Sequence, residues 1–181
     1  MRLLLASLLA FGWLTAAQAE IPGPTERVIL TIGGELPEGN APPAHEDDVN
    51  FSGYLDLTYR VAVAFDDAML AAMPQHEVKA TLLDTGREIA YTGPRLSELM
   101  KRVGAEGKSA WPMAFDGYQV EITWDHLSQY EPIVATHGDG VPLEVGLLGP
   151  TMIVYPVVED KDLYDSFEAL QVWAMFFIGI E

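Results

Sequence analysis

The chain has no cysteine among its 181 residues. That excludes a thiolate nucleophile, cysteine-held zinc, an iron–sulfur cluster and a disulfide framework. Positive charge is almost as scarce: ten Lys and Arg face 27 Asp and Glu, for a net charge of −17. A phosphate backbone is bound through basic patches and counterion release, so nucleic acid is excluded as a partner class. An anionic membrane surface is disfavoured on the same ground. Histidine is confined to His45, His76, His126 and His137, none two or four residues from another, which gives a dedicated metal site little support. The catalytic signatures G-x-S-x-G, H-E-x-x-H, G-x-G-x-x-G and the P-loop are all missing.

Long apolar runs are missing too, with one exception at the N-terminus. Met1-Arg2 carries a positive charge, Leu3 to Leu14 is apolar apart from Ser7 and Gly12, and Ala17-Gln-Ala19 is a small-x-small cleavage site. The run is shorter than the roughly 20 residues a membrane helix needs. This pattern predicts an export signal over 1–19 and a mature chain from Glu20. The remaining residues, 20–181, have the length of one ordinary domain with its own core. A strongly acidic surface mainly favours solubility, and it can also steer the protein toward a basic partner.

Period and punctuation predict many short strands and a few short helices. Arg27 to Ile32 reads as a strand, followed by a mobile Pro-, Gly- and acid-rich loop over 35–50. Tyr54 to Phe65 reads as a strand, and Asp66 as the N-cap of a helix through Met73. His76 to Leu83 and Glu88 to Thr92 form two strands around Asp84-Thr-Gly-Arg87. Leu96, Leu99, Met100 and Val103 sit at helical spacing before Gly104. Asp116-Gly117 between Trp111–Phe115 and Tyr118–Thr123 is a hairpin signal. Asp125 then caps a brief helix through Tyr130. Ile133 to Thr136, Thr151 to Val157 and Val172 to Ile180 are further strands, with the turn His137-Gly-Asp-Gly140 and some helix over 160–170. The sum is an α+β domain with mixed β-sheets.

Two constellations have plain structural explanations. His126 and His137 read as exposed loop histidines. Asp116 and Asp139 both stand beside glycine, where turn preference already accounts for aspartate. A slot for a flat polar ring has more support, because such a site needs aromatic walls and a few placed hydrogen-bonding groups. Phe115, Tyr118, Trp124, Tyr155 and Trp173 all lie at strand ends or beside Gly and Pro turns.

The order of several short motifs carries a family resemblance. Phe65-Asp-Asp-Ala-Met-Leu-Ala-Ala-Met-Pro74, Val78-Lys-Ala-Thr81 and Tyr91-Thr-Gly-Pro-Arg-Leu-Ser-Glu-Leu-Met100 form a first half. Phe115-Asp-Gly-Tyr118, Val120-Glu-Ile122, His137-Gly-Asp-Gly-Val-Pro-Leu143, Gly149-Pro150, Val154-Tyr-Pro156 and Trp173 form the second. Together they resemble the oxidoreductase molybdopterin-binding domain, the sulfite oxidase-like fold, from about Val28 to the end. In full sulfite oxidases the strand matching Val78 to Leu83 leads into a cysteine that holds molybdenum. Here there is none, and the basic residues that grip the cofactor phosphate have no counterpart.

The resemblance is closest to short secreted members that are similar to periplasmic pterin-binding proteins. It implies a metal-free, regulatory use of the fold: a reduced pterin as ligand, no molybdenum, and a partner such as the periplasmic sensor domain of a membrane-bound cyclic-di-GMP enzyme. A pterin presents an N–H and an amino group side by side, a pair that one carboxylate can accept. The implied ligand residues are Thr81, Asp84, Phe115, Asp116, Tyr118, Asp139, Tyr155 and Trp173. Two other readings stay open at this point: a molybdopterin-dependent oxidoreductase subunit, and a vestigial domain used only for protein interaction.

Overall fold

A computed structural model describes residues 20–81 and 86–181. The expected export signal and Asp84 lie outside the described residues. The first strand, β1 (Val28–Gly34), is the centre of a mixed sheet. It pairs antiparallel with β2 (Val61–Asp66) and parallel with the C-terminal strand, β10 (Met175–Ile180). Strand β5 (Ala110–Ala114) closes the far edge against β10. A second, antiparallel sheet runs through β3 (His76–Thr81), β4 (Glu88–Gly93), β7 (His137–Gly138) and β8 (Val141–Pro142). A third, two-stranded sheet joins β6 (Ile133–Ala135) to β9 (Met152–Val154). The helices are short: α1 (Phe51–Tyr54), α2 (Asp67–Ala71), α3 (Leu96–Arg102), α4 (Trp124–Tyr130) and α5 (Lys161–Ser166). The α+β class with mixed sheets is therefore the observed one.

The main core lies between the first sheet and α3. Leu96, Leu99 and Met100 on α3 are fully buried against a cluster that includes Leu30, Ile32, Val63 and Phe65. Spacings of three and four put those side chains on one face, and that burial drives the helix onto the sheet. A second core of Val78, Tyr91, Ile133 and Val154 fills the space between the other two sheets. Gly93 sits where β4 passes over β6, and a Cβ there would collide with the carbonyl oxygen of Val134.

Several boundaries differ from the sequence expectations, each for a local reason. The segment 35–50 is tied down rather than free. Asn40 donates to the Ala64 carbonyl and accepts from the Ala64 N–H, and Ala41 and Ala44 bridge to Ala62 and Tyr59. The stretch 54–60 is not strand. The Asn50 side chain accepts from Gly53 N–H and caps α1, and Asp56 has a left-handed backbone (φ 54°) that breaks the extended run. Thr123, not Asp125, caps α4: its hydroxyl accepts from the His126 N–H. The arm 118–123 of the expected hairpin makes only isolated bridges, Met113 to Gln119 and Ala110 to Ile122. His137-Gly138 belongs to a strand, and only Asp139 and Gly140, both with positive φ, form the turn.

Candidate functional site

Asp116 organises a tight turn at the end of β5. Its carboxylate accepts from the Tyr118 N–H at 2.9 Å, Gly117 takes φ 87°, and the Ala114 N–H bonds back to the Tyr118 carbonyl. An aspartate two residues before its donor and a glycine in the left-handed region form an Asx turn that most other pairs would strain. Phe115 is then held by its own N–H, which donates to the Ala174 carbonyl at 3.1 Å. Ala174 has φ 50°, unusual for a residue with a Cβ. Its N–H donates to Leu148, which ties the approach to β10 to the loop before Gly149.

These links border an open cavity of about 540 Å³. The turn contributes Ala114, Phe115, Asp116 and Tyr118; the loop contributes Gly146 and Leu147; β9 contributes Met152. Glu168, Gln171, Trp173 and Ala174 close it from the C-terminal side. Two carboxylates, one carboxamide and three aromatic rings converge there, and among the described residues the lining holds no cation. The chain has no Lys or Arg at 109–160 or 162–181, the segments that supply every lining residue.

Four of the eight expected ligand residues, Phe115, Asp116, Tyr118 and Trp173, are brought together in this cavity. The others are not part of it. Thr81 is exposed at the end of β3, paired with Glu88 in the second sheet. Asp139 is a turn residue of β7–β8: it accepts from the Ala90 N–H at 3.0 Å and from the Arg87 guanidinium at 2.7 Å. The Ala90 bond first, and then Arg87, hold its carboxyl below the usual aspartate range. Tyr155 is fully buried in the main core, its ring stacked 4.5 Å from Phe167, and burial pushes its phenol up. Asp84 lies outside the described residues.

The expected ligand residues did not include Ala114, Gly146, Leu147, Met152, Glu168, Gln171 or Ala174, which also line the cavity. Each looks ordinary in its own segment, and only the packing of three separated segments places them on one wall. The expectation of two exposed loop histidines also fails. His126 is on α4, half-buried among Tyr130, Tyr155 and Phe167 at ring distances of 4.8, 5.5 and 5.5 Å. His137 lies on β7, half-buried, its Nδ1 2.9 Å from the Thr136 hydroxyl.

A phosphorylated molybdenum cofactor asks for a thiolate on the metal and cations on the phosphate. The lining offers neither, so the residues present do not fit that group. Among the described residues no group of three or more His, Cys, Asp or Glu is placed to hold a metal ion. No helix among them is long and apolar enough to cross a membrane.

No family model and no curated protein matches the chain. A solved structure does: the sulfane dehydrogenase SoxCD from Paracoccus pantotrophus, with a TM-score of 0.55 over 84% of this chain. Identity is 16%, and the match spans 38% of the neighbour's chain. The class defined here is thus an α+β fold of mixed sheets shared with one part of that larger dehydrogenase chain. Its candidate site is an acidic, aromatic-walled cavity.

Proposed function

We propose that the protein is a periplasmic, non-redox pterin-binding protein. It takes a reduced pterin without molybdenum and regulates a membrane-bound partner, such as a cyclic-di-GMP enzyme, through that partner's periplasmic sensor domain. The carrying observation is the cavity lining: Phe115, Tyr118 and Trp173 around Asp116, Glu168 and Gln171, with no cation among the described residues there. Aromatic faces suit a flat bicyclic ring, and a carboxylate suits the adjacent N–H and amino donors on the pterin edge. A phosphate on the ligand would meet only like charge. The motif order that resembles the molybdopterin-binding domain, together with a fold shared with a sulfane dehydrogenase, supports a pterin over other planar donors.

Calorimetric titration of the mature protein with 6-methyltetrahydropterin, oxidised pterin and guanosine monophosphate tests the reading. The expected result is saturable binding of the reduced pterin and little of the phosphorylated nucleotide. No binding of any pterin would leave the interaction-module reading in its place. N-terminal sequencing of protein from the periplasmic fraction tests export, with Glu20 as the expected first residue.

A further inference from the structure

Helix α1 buries none of its four residues, although two of them are aromatic. Phe51 is 43% exposed and Tyr54 80%, and Val49 just before them is fully exposed. The two rings are not scattered: Phe51 and Tyr54 stack with centroids 6.3 Å apart and planes 17° apart. The Phe51 ring lies 5.2 Å from Phe176 and 5.8 Å from Phe115, and Phe115 stacks on Phe176 at 4.9 Å with the planes 6° apart. Phe115 also lines the cavity. One run of touching aromatic rings, stacked at Phe115–Phe176 and tilted at Phe51, therefore leads from the cavity wall to the outer surface. Contiguous exposed aromatics of this kind mark interaction surfaces more often than isolated apolar residues do.

The charge around the stack selects the occupant. Between Arg27 and Arg60 the chain has no Lys or Arg, but it has six acids. Of these, Glu46, Asp47 and Asp56 flank α1 in sequence and are exposed. A second copy of this chain presenting the same face would bring like charges together, which costs association free energy. An anionic lipid surface is repelled in the same way. We infer that this face docks a protein partner whose contact surface has an apolar centre bordered by Lys and Arg. Because Phe115 belongs to both the stack and the cavity wall, a ring seated on Phe115 restrains the stack, and docking senses occupancy. That coupling rests on the pterin reading of the cavity; the docking face itself does not.

Site-directed photo-crosslinking in the native cells tests this, with the full chain carrying Tyr54→p-benzoylphenylalanine and, as the control position, Gln129→p-benzoylphenylalanine on α4. The expected product from position 54 is a single partner protein, attached through a peptide with clustered Lys or Arg. Its yield should fall about tenfold on adding Phe51→Ser, the scale of truncating an aromatic anchor. It should fall similarly with Glu46→Lys and Asp47→Lys together. The inference is overturned if position 54 yields only lipid, a second copy of this chain, the same products as position 129, or nothing. Adding 6-methyltetrahydropterin to purified protein and the identified partner should change the yield severalfold. If the wild type binds no pterin and the cross-link persists, the cavity reading fails and the docking face stands.

Discussion

The hydroxyl of Tyr118 donates a 2.8 Å hydrogen bond to the carbonyl oxygen of Ala169. It joins the turn after β5 to the short 3-10 segment Glu168–Leu170, which carries Glu168 into the cavity. The two walls come from segments some fifty residues apart in the chain, and this bond holds them at a set spacing. Removing the hydroxyl while keeping the ring separates positioning from stacking. Tyr118→Phe should cost about 1 kcal/mol of stability or less, the usual net value of one hydrogen bond. Affinity for 6-methyltetrahydropterin should fall severalfold. Thermal melting and calorimetry on the same preparation check both; unchanged affinity would remove Tyr118 from a positioning role.

Asp116 has a turn role and a proposed ligand role, and asparagine divides them. The Asn side-chain oxygen can still accept from the Tyr118 N–H, so Asp116→Asn should melt close to wild type. Losing a charge-assisted hydrogen bond typically costs roughly 1.5–3 kcal/mol. That corresponds to about a ten- to hundred-fold loss of pterin affinity. Wild-type affinity in Asp116→Asn would sink the carboxylate assignment.

Asp139→Asn should behave in the opposite way. Its carboxylate holds Ala90 and Arg87 and lies outside the cavity lining, so pterin affinity should not change. Stability should fall near neutral pH, because the folded state depresses the pKa of this acid. Such a group contributes stability above its unfolded pKa, and the contribution disappears as pH falls through the folded value. Wild type and Asp139→Asn should therefore converge in melting temperature in acid. A gap that widens on acidification would contradict this.

His126 gives the molecule a second acid response. Burial holds its imidazole below the ordinary value of 6.5, so the folded state prefers the neutral ring. Above about pH 6.5 both folded and unfolded rings are neutral and nothing is lost. As pH falls through that value the unfolded ring takes a proton first, and stability drops until the folded ring titrates too. Replacing the ring by an uncharged aromatic should flatten this loss. The check is a comparison of melting temperatures for wild type and His126→Phe at pH 7.5 and pH 5.5; equal slopes would show that other groups set the response.

Gly93→Ala should destabilise by about 1–3 kcal/mol, the range for overpacking a closed interior. The added Cβ meets the Val134 backbone rather than a movable side chain, so the β4–β6 contact must open. Chemical denaturation would measure it. A neutral result would mean that the two strands separate freely.

Much of the fold was legible because it follows local rules. The spacing of Leu96, Leu99 and Met100 marked a helix, and Asp66 caps α2 by accepting from Met69 N–H. Asp116-Gly117 marked a turn, and a turn is there. The misreadings came where a long-range contact overrides a local pattern. The segment 35–50 has no apolar period, yet Asn40 anchors it to Ala64 across 24 positions. Alternation over 54–60 suggested a strand, but a strand needs a partner, and the Asn50 cap and the Asp56 backbone take the chain elsewhere.

The same division holds for the site. Composition by itself determined that no thiolate exists and that phosphate-binding cations are scarce, because absent residue types cannot be supplied by folding. The short-range turn at Phe115–Tyr118 was also readable, since four consecutive residues set it. Only the tertiary structure decided which other residues stand beside it. Gln171 and Leu147 reach the cavity, while Tyr155 turns into the core and Asp139 stays with Arg87. Burial and cross-chain hydrogen bonding depend on what arrives from distant segments, and a residue's own neighbours in sequence carry no record of that.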